Sequence, residues 1–420
     1  MDEDKARKLH LDTIAVGYGY DPAGGQGAAK PPLYLTSTFV YPSAEHAKET
    51  HRIFFEGPRP GEVVEPSYIY MRLGHPNLDM VEKRLAALDG AEAAAGFCSG
   101  MAAISTVFMA HLKPGDAVLH GLPFYGGADG LLNRVMAGFG VRGFHFTDGL
   151  DGEAMREAAE RAMAAGPLRL IWLESPANPT ATVIDIGLAV RIAGEIAERQ
   201  GVRPLVCVDN TFLGPLLQSP LACGADLCMT SLTKYCGGHS DLLAGGVSGS
   251  LELVGPLRAL RTLLGTTMDP QTAWLLLRSL ETLSVRTARA CESALKIARY
   301  LKAHPKVAGV TFIGLAEPGS REHDLMQRQT RGTGSTFSFR IQGGEAGAFR
   351  FLNALKLLRL AVSLGGSETL ICHPASTTHY AIARDRLAEA GVTEATLRLS
   401  VGLEHPDDLI ADLTQALDQV

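Results

Sequence analysis

Between residue 76 and about residue 275, short apolar runs alternate with amphipathic stretches. The runs AEAAAGF (91–97), DAVLHG (116–121), VRGFHF (141–146), LRLIWLE (168–174), PLVCVDN (204–210), ADLCMTS (225–231) and LAGGVSG (243–249) are apolar and bounded by turn residues. That pattern predicts seven buried strands. The stretches between them, such as 152–165 and 186–199, repeat apolar residues with the period of amphipathic helices. Strands alternating with helices predict an α/β fold, a mostly parallel seven-stranded sheet with helices on both faces. Ligands bind such sheets outside the carboxyl ends of the strands, so the polar residues just past each run carry the interest.

From about 276 the rhythm changes to mixed α+β, which predicts a smaller C-terminal domain. Strands are expected near 307–313, 335–341, 360–363 and 396–400, with helices over 271–303, 347–358 and 405–420. Residues 1–75 read as irregular, because Pro31, Pro32, Pro42, Pro58, Pro60 and Pro66 interrupt every candidate helix. Such an arm has no core of its own and is expected to lie on another domain or subunit. The resulting division is an arm (1–75), a large ligand-binding domain (76–275) and a C-terminal domain (276–420).

Composition narrows the function classes. Hydrophobic residues make up 46% and charged residues 20% of the 420, the balance of a globular protein rather than a disordered or coiled-coil one. A net charge of −6 gives no basic field for nucleic acid or an anionic membrane surface. Residues 93–110 form an 18-residue uncharged stretch, but its two Gly, two Ser and one Thr suit a buried strand–turn–helix better than a membrane span. The first ten residues are too charged for a secretion signal, and the seven scattered cysteines show no CxxC pair. A reduced, cytoplasmic protein without a bound metal is the expectation.

Three features placed after strands carry candidate chemistry. Lys234 follows ADLCMTS, between hydroxyls at Ser231 and Thr233 and the Gly237–Gly238 turn. It reads either as a Schiff-base lysine beside a phosphate site or as a plain surface lysine. Asp209 closes an apolar strand, where a carboxylate needs a partner; it can hold a pyridine nitrogen protonated or cap the next helix. Ser99-Gly100-Met101 lies between the first strand and a helix, where backbone N–H groups cradle phosphate, although many glycine turns precede helices.

Together these features resemble a known family. SLTKYCGGHSDLLAG around Lys234 resembles the signature of the Cys/Met-metabolism PLP-dependent enzymes: cystathionine γ-synthases and γ-lyases, methionine γ-lyases and O-acylhomoserine sulfhydrylases. The resemblance runs from KPPLYLTSTF (30–39) through YMRLGHPN (70–77), ESPANPT (174–180), VDNTFLGPLLQ (208–218) and LGGSETLICHPASTTH (364–379) to LRLSVGLE (397–404). It implies the PLP-dependent transferase fold of type I, pyridoxal 5'-phosphate as cofactor, a small amino acid as substrate, and a homotetramer built as a dimer of dimers. Lys234 is then the Schiff-base lysine and proton shuttle, Asp209 the partner of the pyridine nitrogen, and Asn178 the partner of the phenolic oxygen. Gly100, Met101, Ser231 and Thr233 bind the phosphate, with Tyr70 and Arg72 reaching in from the neighbouring subunit. Tyr125 stacks on the ring and serves as acid and base. Arg398, helped by Ser363, clamps the substrate carboxylate with its planar fork. His239 and His379 are read as hydrogen-bond partners.

Departures from the family pattern bear on specificity. Cystathionine-cleaving relatives place charged side chains around the distal half of the substrate, where this chain has Ile69, Gly130 and Val362, so a small apolar distal pocket is expected. Typical methionine γ-lyases carry a cysteine where Gly127 stands, and HPASTTH leans toward the sulfhydrylases. Residues 51–66 are longer than the same arm in lyases, which implies a reshaped entrance. The expected reaction is α,γ-elimination on methionine-like substrates, giving 2-oxobutanoate, ammonia and a thiol. The alternative is γ-replacement on O-acetylhomoserine or O-succinylhomoserine. Two readings outside this class are a silent PLP-fold binding module, which the intact Lys234, Asp209 and Arg398 oppose, and a metal hydrolase using His239, Asp241 and His373, whose spacing suits no ligand cluster.

Overall fold

The computed structural model of the chain describes residues 9–62 and 67–420. Seven strands form the larger sheet: β1 (Ala93–Phe97), β2 (Ala117–Gly121), β3 (Arg142–Phe146), β4 (Leu168–Glu174), β5 (Leu205–Asp209), β6 (Leu227–Thr230) and β7 (Gly245–Gly249). Each lies within a run that the apolar pattern marks as a strand. Their order is β1-β7-β6-β5-β4-β2-β3, with β7 antiparallel to both neighbours and the rest parallel. Alternate residues face opposite ways, so Val118, Leu170 and Trp172 meet the helices Gly100–His111 and Leu251–Leu264, and Phe108 packs edge-on to Trp172. On the other face Leu119, Ile171 and Val208 meet the helices Gly152–Ala165 and Ile186–Gln200, and Leu168 joins them because the β2–β4 pairing shifts register between Leu168 and Leu170. The uncharged stretch at 93–110 is the expected strand, turn and helix, and no helix among the described residues is long and apolar enough to cross a membrane.

A second sheet contains β8 (Val307–Thr311), β9 (Thr336–Ile341), β10 (Arg359–Leu360), β11 (Leu370–Cys372) and β12 (Thr396–Ser400), in the order β10-β11-β12-β9-β8. The helices Leu283–Ala303, Gly344–Ala354 and Pro406–Leu417 cover it with a separate apolar core.

Four expectations need correction. The helix expected over 271–303 is two helices, Pro270–Leu280 and Leu283–Ala303. Thr282 leaves helical geometry between them, and both its N–H and its hydroxyl bond back to the Ser279 carbonyl, competing with the ladder. The helix placed at 347–358 spans Gly344–Ala354. It stops there because the N–H groups of Lys356, Leu357 and Leu358 all turn to the Asp412 carboxylate, at 2.7–2.9 Å for the shortest contact of each. The strand at 360–363 shrinks to Arg359–Leu360, since Ser363 adopts φ +84°, outside any strand, and the neighbouring β11 has no counterpart among the expected strands.

The arm is also less irregular than its prolines imply. A 13-residue helix, Ala44–Glu56, fits between Pro42 and Pro58, opened by the Ser43 hydroxyl on the His46 N–H. Leu11–Gly17 is a helix too, and it buries Ile14 and Ala15 in a core of its own chain. Pro66 and the last part of the 51–66 segment lie outside the described residues.

Candidate active site

The carboxyl ends of β1, β2, β4, β5 and β6 converge on one cavity of about 180 Å³. Gly100 and Met101 follow β1, Tyr125 follows β2, Asn178 follows β4, Asp209 ends β5, and Ser231, Thr233 and Lys234 follow β6; all line the cavity. Eight of the expected site residues, scattered over 135 positions of sequence, thus line one cavity.

Local bonding explains how the lysine is held. Thr233 Oγ1 accepts from the Ala244 N–H at 2.9 Å and donates to the Ala244 carbonyl at 3.1 Å, closing the 231–244 loop on itself. Arg286 donates to the Tyr235 carbonyl at 2.8 Å and the Ser279 carbonyl at 2.9 Å, tying that loop to the helix pair behind it. Gly238, at φ +68°, passes so close to the Arg286 guanidinium that no side chain fits there. Lys234 Nζ donates to Ser363 Oγ at 2.8 Å. Burial, and then the nearby Arg398 charge, lower the lysine to about 8, so a substantial neutral fraction exists near neutral pH.

Opposite the lysine, the Asp209 carboxylate accepts from Thr211 twice, from its N–H at 3.0 Å and its hydroxyl at 2.5 Å. Burial pushes Asp209 up while these bonds hold it down. The Ser231 N–H in turn donates to Thr211 Oγ1 at 2.9 Å, so one threonine links the Asp209 side of the cavity to the lysine loop. On the far wall Ser99 Oγ accepts from the Ala102 N–H at 3.0 Å, which opens the helix with its first N–H groups toward the cavity. A Cβ on Gly100 would lie 3.0 Å from Ser231 Oγ, so the glycine lets the Ser231 side chain pack against the helix start.

Arg398 sits on β12 and is 3% exposed. Nη1 donates to Asn178 Oδ1 at 2.8 Å and Nη2 to the Ser363 carbonyl at 2.7 Å, while Nε is buried with no partner. Neither Arg398 nor Ser363 is among the lining residues; they adjoin the cavity through Asn178 and Lys234. A guanidinium with a donor in reserve suits a carboxylate. Ser363 is thus held by both cations, in the left-handed φ that only a well-determined site tolerates. His379 donates to or accepts from its surroundings as expected of a structural histidine, lying 3.2 Å from the Asn178 carbonyl, and His239 lies 2.8 Å from the Gly237 carbonyl. Among the described residues no cluster of three metal-ligating side chains exists, and His373 is occupied by Ser376 and the Glu394 carbonyl.

Other expected residues lie apart. Tyr70 is 43% exposed, and Arg72 reaches over its ring to the Thr262 carbonyl at 2.6 Å; neither lines this chain's cavity. Ile69 and the exposed Val362 do not line it either.

Two polar lining residues went unnamed in the sequence reading. Glu174 ends β4 as Asp209 ends β5, and the two are directly paired in register. Glu174 Oε1 accepts from the Tyr125 N–H at 2.8 Å. Burial, reinforced by the Asp209 charge, drives Glu174 well above the usual carboxylate range. Its signal was available: two adjacent strands each closing on an acid. The other is Thr211, whose hydroxyl role depends on the turn geometry alone.

The description of one protein family, "Cys/Met metabolism PLP-dependent enzyme", matches residues 12–418. An L-methionine γ-lyase of Pseudomonas deceptionensis is 39% identical over 417 residues, covering 99% of this chain and 98% of that one. An O-succinylhomoserine sulfhydrylase of Pseudomonas aeruginosa is 36% identical, covering 97% and 95%. A cystathionine γ-synthase of Xanthomonas oryzae pv. oryzae, solved in complex with cystathionine, superposes with a TM-score of 0.86 at 36% identity, covering 98% of both chains.

Proposed function

Because the chain belongs to the Cys/Met-metabolism PLP-dependent enzymes, we propose that it is a carbon–sulfur lyase, carrying out α,γ-elimination on methionine-like amino acids. The residues suit pyridoxal phosphate: an amine of lowered basicity on Lys234, a carboxylate at Asp209, and a helix start at Gly100 and Met101 that lines the cavity beside the Ser231 hydroxyl. Asn178 would meet the phenolic oxygen, and Ser231, Thr233, Gly100 and Met101 the phosphate. When bound, the cofactor supplies an electron sink for charge developing on the substrate.

The chain's own groups do the rest. Arg398 Nε, backed by Asn178 and Ser363, receives the substrate carboxylate and so points the Cα–H toward Lys234. Lys234 Nζ would remove the proton at Cα, return to the neutral amine by passing that proton to the bound cofactor, and then remove one at Cβ, which elimination at Cγ requires. Burial, with the charge of Asp209, raises the Tyr125 phenol, so it stays protonated and can donate to the departing sulfur. The observation that carries the choice of substrate is the rest of the lining. Among the described residues that line the cavity the charged ones are Glu174, Asp209 and Lys234, and Met101, Ile104, Phe212, Met229, Leu243 and Leu364 make an apolar wall. A thiomethyl group suits that wall, whereas the charged distal end of cystathionine would be buried unpaired at a cost of several kcal/mol.

One observation favours the γ-replacement reading. A Cβ on Gly127 would lie 2.7 Å from the Tyr125 ring and 2.8 Å from Met101 Sδ, so the cysteine of typical methionine γ-lyases does not fit here without movement. The deciding assay measures ammonia and 2-oxobutanoate released from methionine alone. Their absence, with homocysteine formed from O-acetylhomoserine and sulfide, would establish the replacement reading and remove the lyase one.

We further read the working unit as a cytoplasmic homotetramer in which Tyr70 and Arg72 serve a neighbouring site. Their distance from their own cavity and the exposed Leu35, Val40 and Phe55 on the arm support this. The seven free cysteines, four of them buried, suit a reducing compartment.

A further inference from the structure

Glu174 has no role in the reaction as set out above, yet it is 5% exposed and borders the same cavity as Asp209. The register pair Glu174↔Asp209 on adjacent parallel strands places both side chains on one face, at the strand spacing of about 5 Å. No lysine or arginine forms a salt bridge with either among the described residues. Two buried carboxylates this close cannot both be ionised cheaply, so the pair holds one proton between them.

Hydrogen bonding decides where that proton sits. Asp209 receives an N–H and an O–H from Thr211, both of which stabilise an anion. Glu174 receives one backbone donor, the Tyr125 N–H. A carboxylic acid can accept it through its carbonyl oxygen without carrying charge. Tyr125 and Asn178 flank the space above Asp209, and the short turn Gly126–Gly130 that Tyr125 opens has no side-chain cap of its own. The Glu174 carboxyl is therefore what fixes the entry to that turn.

We propose that Glu174 is a positioning residue acting as a neutral acid: it anchors the Tyr125 backbone beside the cofactor ring and holds the proton of the Glu174–Asp209 pair, leaving Asp209 the anion. The upward displacement of Glu174 by burial and by the Asp209 charge agrees with this assignment. Of the nearby cationic side chains, Lys234 lines the same cavity and Arg398 adjoins it through Asn178. A cationic ring nitrogen over Asp209 would favour the anion there.

The proposal rests on the cofactor reading above, and the test separates the two. Cofactor-free wild-type, Glu174→Gln and Glu174→Ala proteins are titrated with pyridoxal phosphate, following protein fluorescence for affinity and the visible band from pH 6 to 9. Melting of each cofactor-free protein is recorded by circular dichroism. The amide of glutamine still accepts from Tyr125 and carries no charge, so Glu174→Gln should keep the wild-type band and an affinity within about threefold. Glu174→Ala should weaken binding by about tenfold or more and shift the band. If Gln is as damaging as Ala, the charge is needed and the neutral-acid assignment is wrong. Wild-type affinity in Glu174→Ala would overturn the positioning role. Should Glu174→Ala not melt cooperatively, Glu174→Asp replaces it: the carboxyl is then one methylene short of Tyr125, and wild-type binding would again overturn the role. A wild-type protein that takes up no cofactor strikes the cofactor reading itself and brings this proposal down with it.

Discussion

Replacing Arg398 by lysine keeps the charge and removes the fork, which isolates what the guanidinium geometry contributes. In the structure two of its nitrogens are committed, to Asn178 Oδ1 and the Ser363 carbonyl, and Nε is left in reserve for the substrate. An ammonium is a single point, and from β12 it cannot bridge Asn178 and Ser363 while also meeting a carboxylate. Truncating one partner of a buried, hydrogen-bonded charge pair costs about 2–5 kcal/mol. Because lysine retains the charge, the expected loss lies at the lower end, about 2–3 kcal/mol, or roughly 30- to 150-fold in kcat/KM. The assay compares kcat/KM for methionine and for O-acetylhomoserine, with the visible absorbance of bound cofactor as a control that the site is otherwise intact. Both substrates carry the same α-carboxylate, so both should lose alike. A loss confined to one substrate would place Arg398 at the distal end instead. A loss under about threefold on both would remove it from substrate binding.

The pH dependence of cofactor uptake tests the lysine. With the ammonium of Lys234 lowered to about 8, the neutral nucleophile accumulates above that pH, so uptake by the cofactor-free protein should rise to half its plateau near pH 8; a rise that continues toward pH 10.5 would mean the lysine is not buried as described. Subunit sharing is tested by mixing inactive Arg72→Ala and Lys234→Ala chains, since a mixed pair would have one composite site free of both substitutions. Activity should partly return on mixing, and a fully active monomer in sedimentation would refute the shared site.

Much of this protein was legible in its sequence because the relevant signals are local. Each strand of the large sheet is a short apolar run between turn residues, and that pattern needs no partner to be read. Lys234 and Asp209 stand out for the same reason, being polar groups placed where an apolar strand ends. The helix break at Thr282 and the early stop at Ala354 were not legible, because a hydroxyl and the remote Asp412 redirect the backbone N–H groups there. The composite parts of the site were equally hidden. Ser363 meets Lys234 across 129 residues, and Arg398 meets Asn178 across 220. The neighbourhood of Glu174 and Asp209 follows from β4 lying beside β5 in register, and hence so does the question of which acid keeps the proton. Periodicity determines which residues form a strand and which way each side chain faces. Strand order and register come from packing distant segments into one core, so only the folded chain could bring these groups together.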